Sequence, residues 1–280
     1  MKKTFFTFVL AIAFITSIGQ PSITNVSYPN TVDVFDMFEI TFHLGHTYSN
    51  PYDPDTISVY AVFTGPDNRY DSVIGFYYEG YTFYQEGGYE HHSHQLGHDA
   101  SGWKIRFTPD TVGTWQFSIH AKDISGETVS PSTSPNSYSF NCQTVNNANG
   151  FISKANARYL KRDVMKNGQK RSRPFFPIGP NIAWYSCLDY GTWTQPRGID
   201  EYLRRIDSLA GNCNYMRIFL NRYQYLNFYG PEYAETPQSV YFDSIINQKD
   251  AAELDYIVNY AAQNNINLMM CLLTHGDFLH

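Results

Sequence analysis

The chain has 280 residues, 42% of them apolar and 17% aromatic, which excludes a disordered protein and suffices for the cores of one large or two medium domains. Against 26 Asp and Glu stand only 20 Lys and Arg, so the formal charge is -6 and the cationic excess that a nucleic-acid partner demands is missing. The 23 Tyr and 20 Phe fit two uses, the packing that favours aromatics in strands and stacking on the flat faces of sugar rings.

Residues 1–20 have the layout of a signal peptide: Lys2 and Lys3, an apolar run from Phe5 to Ile15, then small residues at Ser17 and Gly19, where cleavage is expected. The run is shorter than the 20 or so apolar residues of a membrane span. The expectation is therefore a secreted protein, periplasmic or extracellular, with no membrane span after cleavage. No cysteine lies near the cleavage region to carry a lipid anchor. Cys142, Cys187, Cys213 and Cys271 match no zinc spacing, and no disulfide is expected among them.

Residues 21–145 alternate with period two. Phe38, Ile40, Phe42 and Leu44 form one such run, Ile57, Val59, Ala61 and Phe63 a second, and Trp115, Phe117, Ile119 and Ala121 a third, with Gly, Pro, Asn and Asp between them. Short strands, turn signals and no helical stretch predict an all-β, antiparallel sandwich of immunoglobulin type. The segments Phe63-Thr64-Gly65-Pro66-Asp67, Gly102 to Pro109 and Gly113-Thr114-Trp115 resemble the immunoglobulin-like module of unassigned function that precedes the catalytic barrel in many secreted bacterial glycoside hydrolases. Glu90, His91, His92, His94, His98 and Asp99 gather metal-capable side chains within ten residues. They break the strand pattern and are expected at an exposed hairpin tip. Neither a fixed ligand spacing nor a second shell is legible, so no metal site and no cofactor is assigned.

Residues 146–173 read as a linker hairpin turning at Asn167-Gly168. Its basic run, Lys161, Arg162, Lys166, Lys170, Arg171 and Arg173, fits either a solvated ribbon or a site for an anionic polymer.

From 174 to 280 the period becomes that of α/β units. A first strand and its exit loop run from Phe175 to Trp184. Ile199, Tyr202, Leu203, Ile206, Leu209 and Ala210 recur at helical spacing and stop at Gly211. Asn214–Leu220 is a second strand. A Tyr-rich loop (Tyr223, Tyr225, Tyr229, Tyr233) follows, then a helix from Asn247 and a third strand over Ile266–Leu273, apolar on both faces as a buried parallel strand should be. This order predicts the first three βα units of a (β/α)8 TIM barrel, and eight such units need about 250 residues, so the chain is expected to be a C-terminally truncated piece.

Working residues of such a fold sit at the carboxyl ends of the strands. Asn181 and Trp184 follow the first strand, and His275 and Asp277 the third. In the second strand Met216, Ile218 and Leu220 suit a helix layer, so Arg217 is expected on the opposite face, where it must be paired. The alternative for Arg217 is a structural ion pair or a register in which it faces outward, and for Trp184 it is packing on the core. Phe176-Pro177-Ile178-Gly179 with Asn181, Asn214 to Ile218, and Leu272-Leu273-Thr274-His275 resemble the first three strands of clan-A, cellulase-like retaining glycoside hydrolases. The resemblance implies that Arg217 hydrogen-bonds the nucleophile and that His275 lines the substrate subsite. It also puts the catalytic acid/base Glu after a fourth strand and the nucleophile Glu after a seventh; Glu232, Glu235 and Glu253 match neither position. Asn181, Trp184, Arg217, His275 and Asp277 are thus expected to bind a polysaccharide or oligosaccharide substrate. The alternatives are a non-catalytic carbohydrate-binding or cell-surface protein and a barrel enzyme of unrelated chemistry.

Overall fold

The structure is a computed structural model that describes residues 19–86, 89–94, 102–132, 137–182, 199–220 and 247–272. The signal-like segment through residue 18 therefore lies outside the described residues, as does Cys187; Cys142, Cys213 and Cys271 are free thiols.

Alternation in the first half becomes two sheets packed face to face. In one, β1 (Ile23–Ser27), β3 (Phe38–Leu44), β9 (Gly102–Phe107) and β6 (Phe76–Tyr78) are neighbours in that order. The other runs β2 (Thr31–Asp33), β12 (Tyr138–Gln143), β10 (Gly113–Asp123), β4 (Ser58–Thr64) and β5 (Tyr70–Ile74), with β11 (Gly126–Ser130) also paired to β10. Antiparallel register sets Phe38 opposite Phe107, Ile40 opposite Ile105 and Phe42 opposite Trp103, so the apolar residues of both strands reach the same inner face. Val59, Ala61, Phe63, Trp115, Phe117, Ile119, Ala121 and Phe140 meet them from the second sheet. Rings stack across the interface, Phe38 on Phe140 at 3.8 Å and Phe63 on Phe107 at 4.1 Å. Such pairs are worth about 0.5–1.5 kcal/mol beyond the 1.5–3 kcal/mol of burying each large side chain, so area dominates. The chain changes sheet between β5 and β6 at Gly75, where a Cβ would stand 2.7 Å from Val59 Cγ1 and 3.0 Å from Ile105 Cγ1. The pairing departs from an all-antiparallel sandwich at β2, which runs parallel to β12.

A separate hairpin pairs β7 (Tyr81–Glu86) with β8 (Tyr89–His94), Glu86 opposite Tyr89. Glu90, His91, His92 and His94 are thus strand residues rather than a hairpin tip; His98 and Asp99 lie outside the described residues. A three-stranded sheet follows, β13 (Asn149–Lys154), β14 (Leu160–Lys166) and β15 (Gln169–Phe175), turning at Asn167 (φ 53°) and Gly168 (φ 71°) as the dipeptide predicts. Met165 from β14 enters the sandwich core.

The last sheet is parallel: β16 (Asn181–Ile182), β17 (Tyr215–Phe219) and β18 (Asn267–Cys271). Between its strands lie α1 (Ile199–Leu209) and α2 (Gln248–Gln263), the latter capped by Asn247, whose side chain accepts the Asp250 N–H at 3.2 Å. Tyr202, Ile206, Ile257 and Ala261 bury one face of the sheet at Met216 and Ile218.

The expected fold class, a sandwich followed by the first three βα units of a (β/α)8 TIM barrel, is overturned by this architecture. Among the described residues eighteen strands stand against two helices, distributed over five sheets that give a β-sandwich-like fold. Among the described residues the parallel strands make an open sheet in which β16 and β18 each have one neighbour, whereas a barrel closes so that no strand keeps a free edge. Every parallel pair needs a long crossover, usually helical, so the alternation of strand and helix specifies parallel pairing and not closure.

Candidate functional site at the end of the parallel sheet

Strand periodicity divides β17 between two environments. Met216 and Ile218 are fully buried under the helices; Tyr215, Arg217 and Phe219 take the other face. Parallel register sets Asn181 beside Arg217 on one side and Met269 on the other, so the three residues share that face. Arg217 Nε donates to Cys271 Sγ at 2.9 Å, and the guanidinium lies 4.8 Å from the Phe219 ring centroid. Tyr215 donates its hydroxyl to Met269 Sδ at 3.0 Å. Sulfur and ring are weak partners for a cation. Among the described residues no carboxylate pairs with Arg217. Its orientation away from the helix layer agrees with the alternation of Met216, Ile218 and Leu220. Trp184, His275, Asp277 and the Tyr-rich loop lie outside the described residues, so the structure brings together Asn181 and Arg217 of the five expected site residues.

Two residues that hold this edge in place were not singled out from the sequence. Asn214 clasps the segment before β16: its Nδ2 donates to Phe176 O at 3.0 Å, its Oδ1 accepts the Ile178 N–H at 2.8 Å, and its own N–H donates to Ile178 O at 3.0 Å. Asn267 Nδ2 donates to Asn214 O, and Asn267 Oδ1 accepts from Arg162. Gly179 passes so close that a Cβ would stand 1.7 Å from Tyr215 O. A polar residue just ahead of an apolar strand was the available signal, but its partners are distant in sequence.

A second polar cluster joins this part of the chain to the sandwich. On the outer face of the first sheet, Glu39 accepts from Lys104 Nζ at 2.6 Å and Arg106 Nε at 2.7 Å, and Arg106 also reaches Asp255 of α2 at 2.7 Å. Burial opposes the charge on Arg106, but the hydrogen bonds to Asp255 and Glu39 outweigh it and raise its pKa. Burial likewise works against ionised Glu39, and the two cations overcome it and lower its pKa. The Glu79 N–H donates to Gln248 Oε1 at 3.1 Å in the same junction.

A family profile described as a domain of unknown function, DUF5060, matches residues 31–122. That stretch lies within the sandwich and its β7–β8 hairpin and excludes Asn181 and Arg217. No curated protein matches the chain. Among solved structures, a candidate glycoside hydrolase from Bacteroides vulgatus is similar with TM-score 0.56 at 16% identity, over 87% of this chain and 41% of that one. The likeness is one of fold, and this chain spans about two fifths of the neighbour's length. A CARDB domain from Pyrococcus furiosus (14% identity, 50% of this chain and 100% of that one) and a candidate α-galactosidase/melibiase from Bacteroides fragilis (13%, 91% and 38%) each have TM-score 0.22, too low to carry an argument.

Proposed function

We propose that this chain is part of an exported glycoside hydrolase that cleaves β-linked polysaccharide with retention of configuration. The observation that carries this reading is Arg217, a cation with soft partners, set beside Asn181 on the face of a parallel sheet turned away from the helices, in a chain whose fold resembles that of a candidate glycoside hydrolase. Retention requires two carboxyl groups about 5–5.5 Å apart, one of them ionised to attack the anomeric carbon. A guanidinium suits that nucleophile: its planar fork fixes a carboxylate in one orientation and favours the charged form. In this reading Arg217 is a positioning residue and Asn181 a hydrogen-bonding partner for sugar hydroxyls. Neither catalytic role is assigned to a glutamate of residues 1–280. Residues 1–20 supply the export signal.

The test is reducing-sugar release from a panel of β-linked polysaccharides by the protein expressed from its full reading frame, with the anomer of the first product followed by NMR. Release of the β-anomer is expected. Initial release of the α-anomer would refute retention, and binding without cleavage would favour a non-catalytic carbohydrate-binding protein.

A further inference from the structure

The sheet formed by β13, β14 and β15 sorts its charges by face. Its strands hold seven cations and a single acid, Asp163. On one face Asp163 accepts from Ser172 at 2.7 Å and approaches Lys170 at 3.7 Å; Lys170 bonds Asp110 of the sandwich at 2.7 Å, and Met165 enters the core. Neutralisation there is local. The other face carries Lys154, Arg162, Lys166, Arg171 and Arg173, with no acidic residue at any register position.

Arg162 and Arg173 stand directly opposite each other across the β14–β15 pair, a like-charge arrangement that costs stability. Arg162 is 7% exposed, sits 4.6 Å from the Phe175 ring, and leaves its Nε without a hydrogen-bond partner among the described residues. Burial first, and Arg173 second, push its pKa down. Among the described residues Arg173 Nη2 donates to the neutral Asn149 Oδ1 at 2.9 Å, and Arg171 Nη2 to Gln169 Oε1 at 3.2 Å. Both side chains are exposed. Two residues apart on one strand, they are spaced by about 7 Å. That interval suits successive charges on a polymer better than one small anion.

We propose that this face binds a carboxylate-bearing polysaccharide, a polyuronate, through Arg171 and Arg173, with Arg162 as the buried base of the row. The inference rests on the glycoside hydrolase reading and names the substrate class for it. A polyanion along the face supplies the negative charge that the opposed guanidiniums lack, and its carboxylates accept the charge-assisted hydrogen bonds now made to neutral amides.

Affinity electrophoresis of the 280-residue chain tests this with polygalacturonate, its fully methyl-esterified counterpart and double-stranded DNA. Retardation by polygalacturonate alone is expected. Arg171→Gln with Arg173→Gln should weaken it about tenfold, while the charge-matched pair Lys122→Gln with Arg204→Gln, both exposed and outside this sheet, should leave it within about twofold. Unchanged retardation of the Arg171/Arg173 variant, or equal retardation by DNA, would overturn the proposal. Equal retardation by the methyl ester would overturn it too while leaving the carbohydrate reading intact, and that reading fails separately if the full protein cleaves no glycan.

Discussion

Arg217 shows how much one strand pattern can disclose. The alternation of Met216, Ile218 and Leu220 is enough to turn Arg217 away from the helices, because successive strand side chains must point to opposite faces. Its contacts with Cys271 and Phe219 were not legible, since they depend on the register of β17 with β18. If the guanidinium orients an ionised nucleophile, Arg217→Lys in the full protein keeps the charge but loses the planar fork. We expect kcat to fall at least tenfold with KM within about threefold, because the lost interaction is with the catalytic carboxylate more than with substrate. A folded variant with unchanged kcat would make Arg217 structural. Gly179 obeys a harder constraint. With a Cβ 1.7 Å from Tyr215 O, Gly179→Ala must move backbone, and we expect a loss of about 3 kcal/mol or more in chemical denaturation, beyond the 1–3 kcal/mol typical of overpacking by side chains alone. A variant within about 0.5 kcal/mol of the parent would contradict the close approach.

Elements were legible where their pattern was local. The predicted helices from Ile199 and from Asn247 agree with α1 and α2, and the turn at Asn167-Gly168 with the β14–β15 connection. The parallel strand β18 was expected to be buried on both sides, yet Met269 is 49% and Met270 43% exposed; apolarity marks what a strand can bury and cannot show what covers it. How the basic hairpin meets the sandwich was equally invisible, since its anchor, Asp110, lies far away in sequence. Arg69 Nη2 at 2.6 Å and Lys170 Nζ at 2.7 Å both donate to Asp110. Burial raises the Asp110 pKa, and these two bonds more than reverse that, holding the carboxyl well below its usual range. A depressed folded pKa adds stability that is complete above the unfolded value of about 3.9 and is lost as pH falls below it. Asp110→Asn should therefore cost about 1 kcal/mol at pH 7, its partners being half exposed, and flatten the acid limb of the stability curve. Thermal melts between pH 7 and pH 2.5 check this, and an acid limb unchanged in the variant would remove Asp110 as its source.

For the whole molecule, the sandwich was legible because each strand announces its inner face, whereas the relation between the two halves depends on side chains brought together only by folding. Arg106 and Asp255 are 149 positions apart, and nothing in either neighbourhood points to the other. Their bond is partly exposed, so a double-mutant cycle should yield about 0.2–1 kcal/mol, which fastens the halves without determining whether either folds. Folding depends instead on core size. The sandwich encloses Trp115 and a ring of stacked phenylalanines between two sheets, while among the described residues the parallel sheet packs helices on one face only and pairs neither outer edge. Residues 20–145 alone should consequently melt cooperatively, and residues 174–280 alone should not, since an uncovered apolar face and unpaired edges favour association. The linker refines the expectation. Met165 is 2% exposed within the sandwich core, so a fragment ending at 145 leaves the space it fills, and a fragment of residues 20–176 should be more stable by about 2–5 kcal/mol, the usual cost of emptying a buried methionine site. Equal stability of the two fragments would show that the β13–β15 sheet only rests on the sandwich, and a cooperative melt of residues 174–280 would show that the parallel sheet is complete without it.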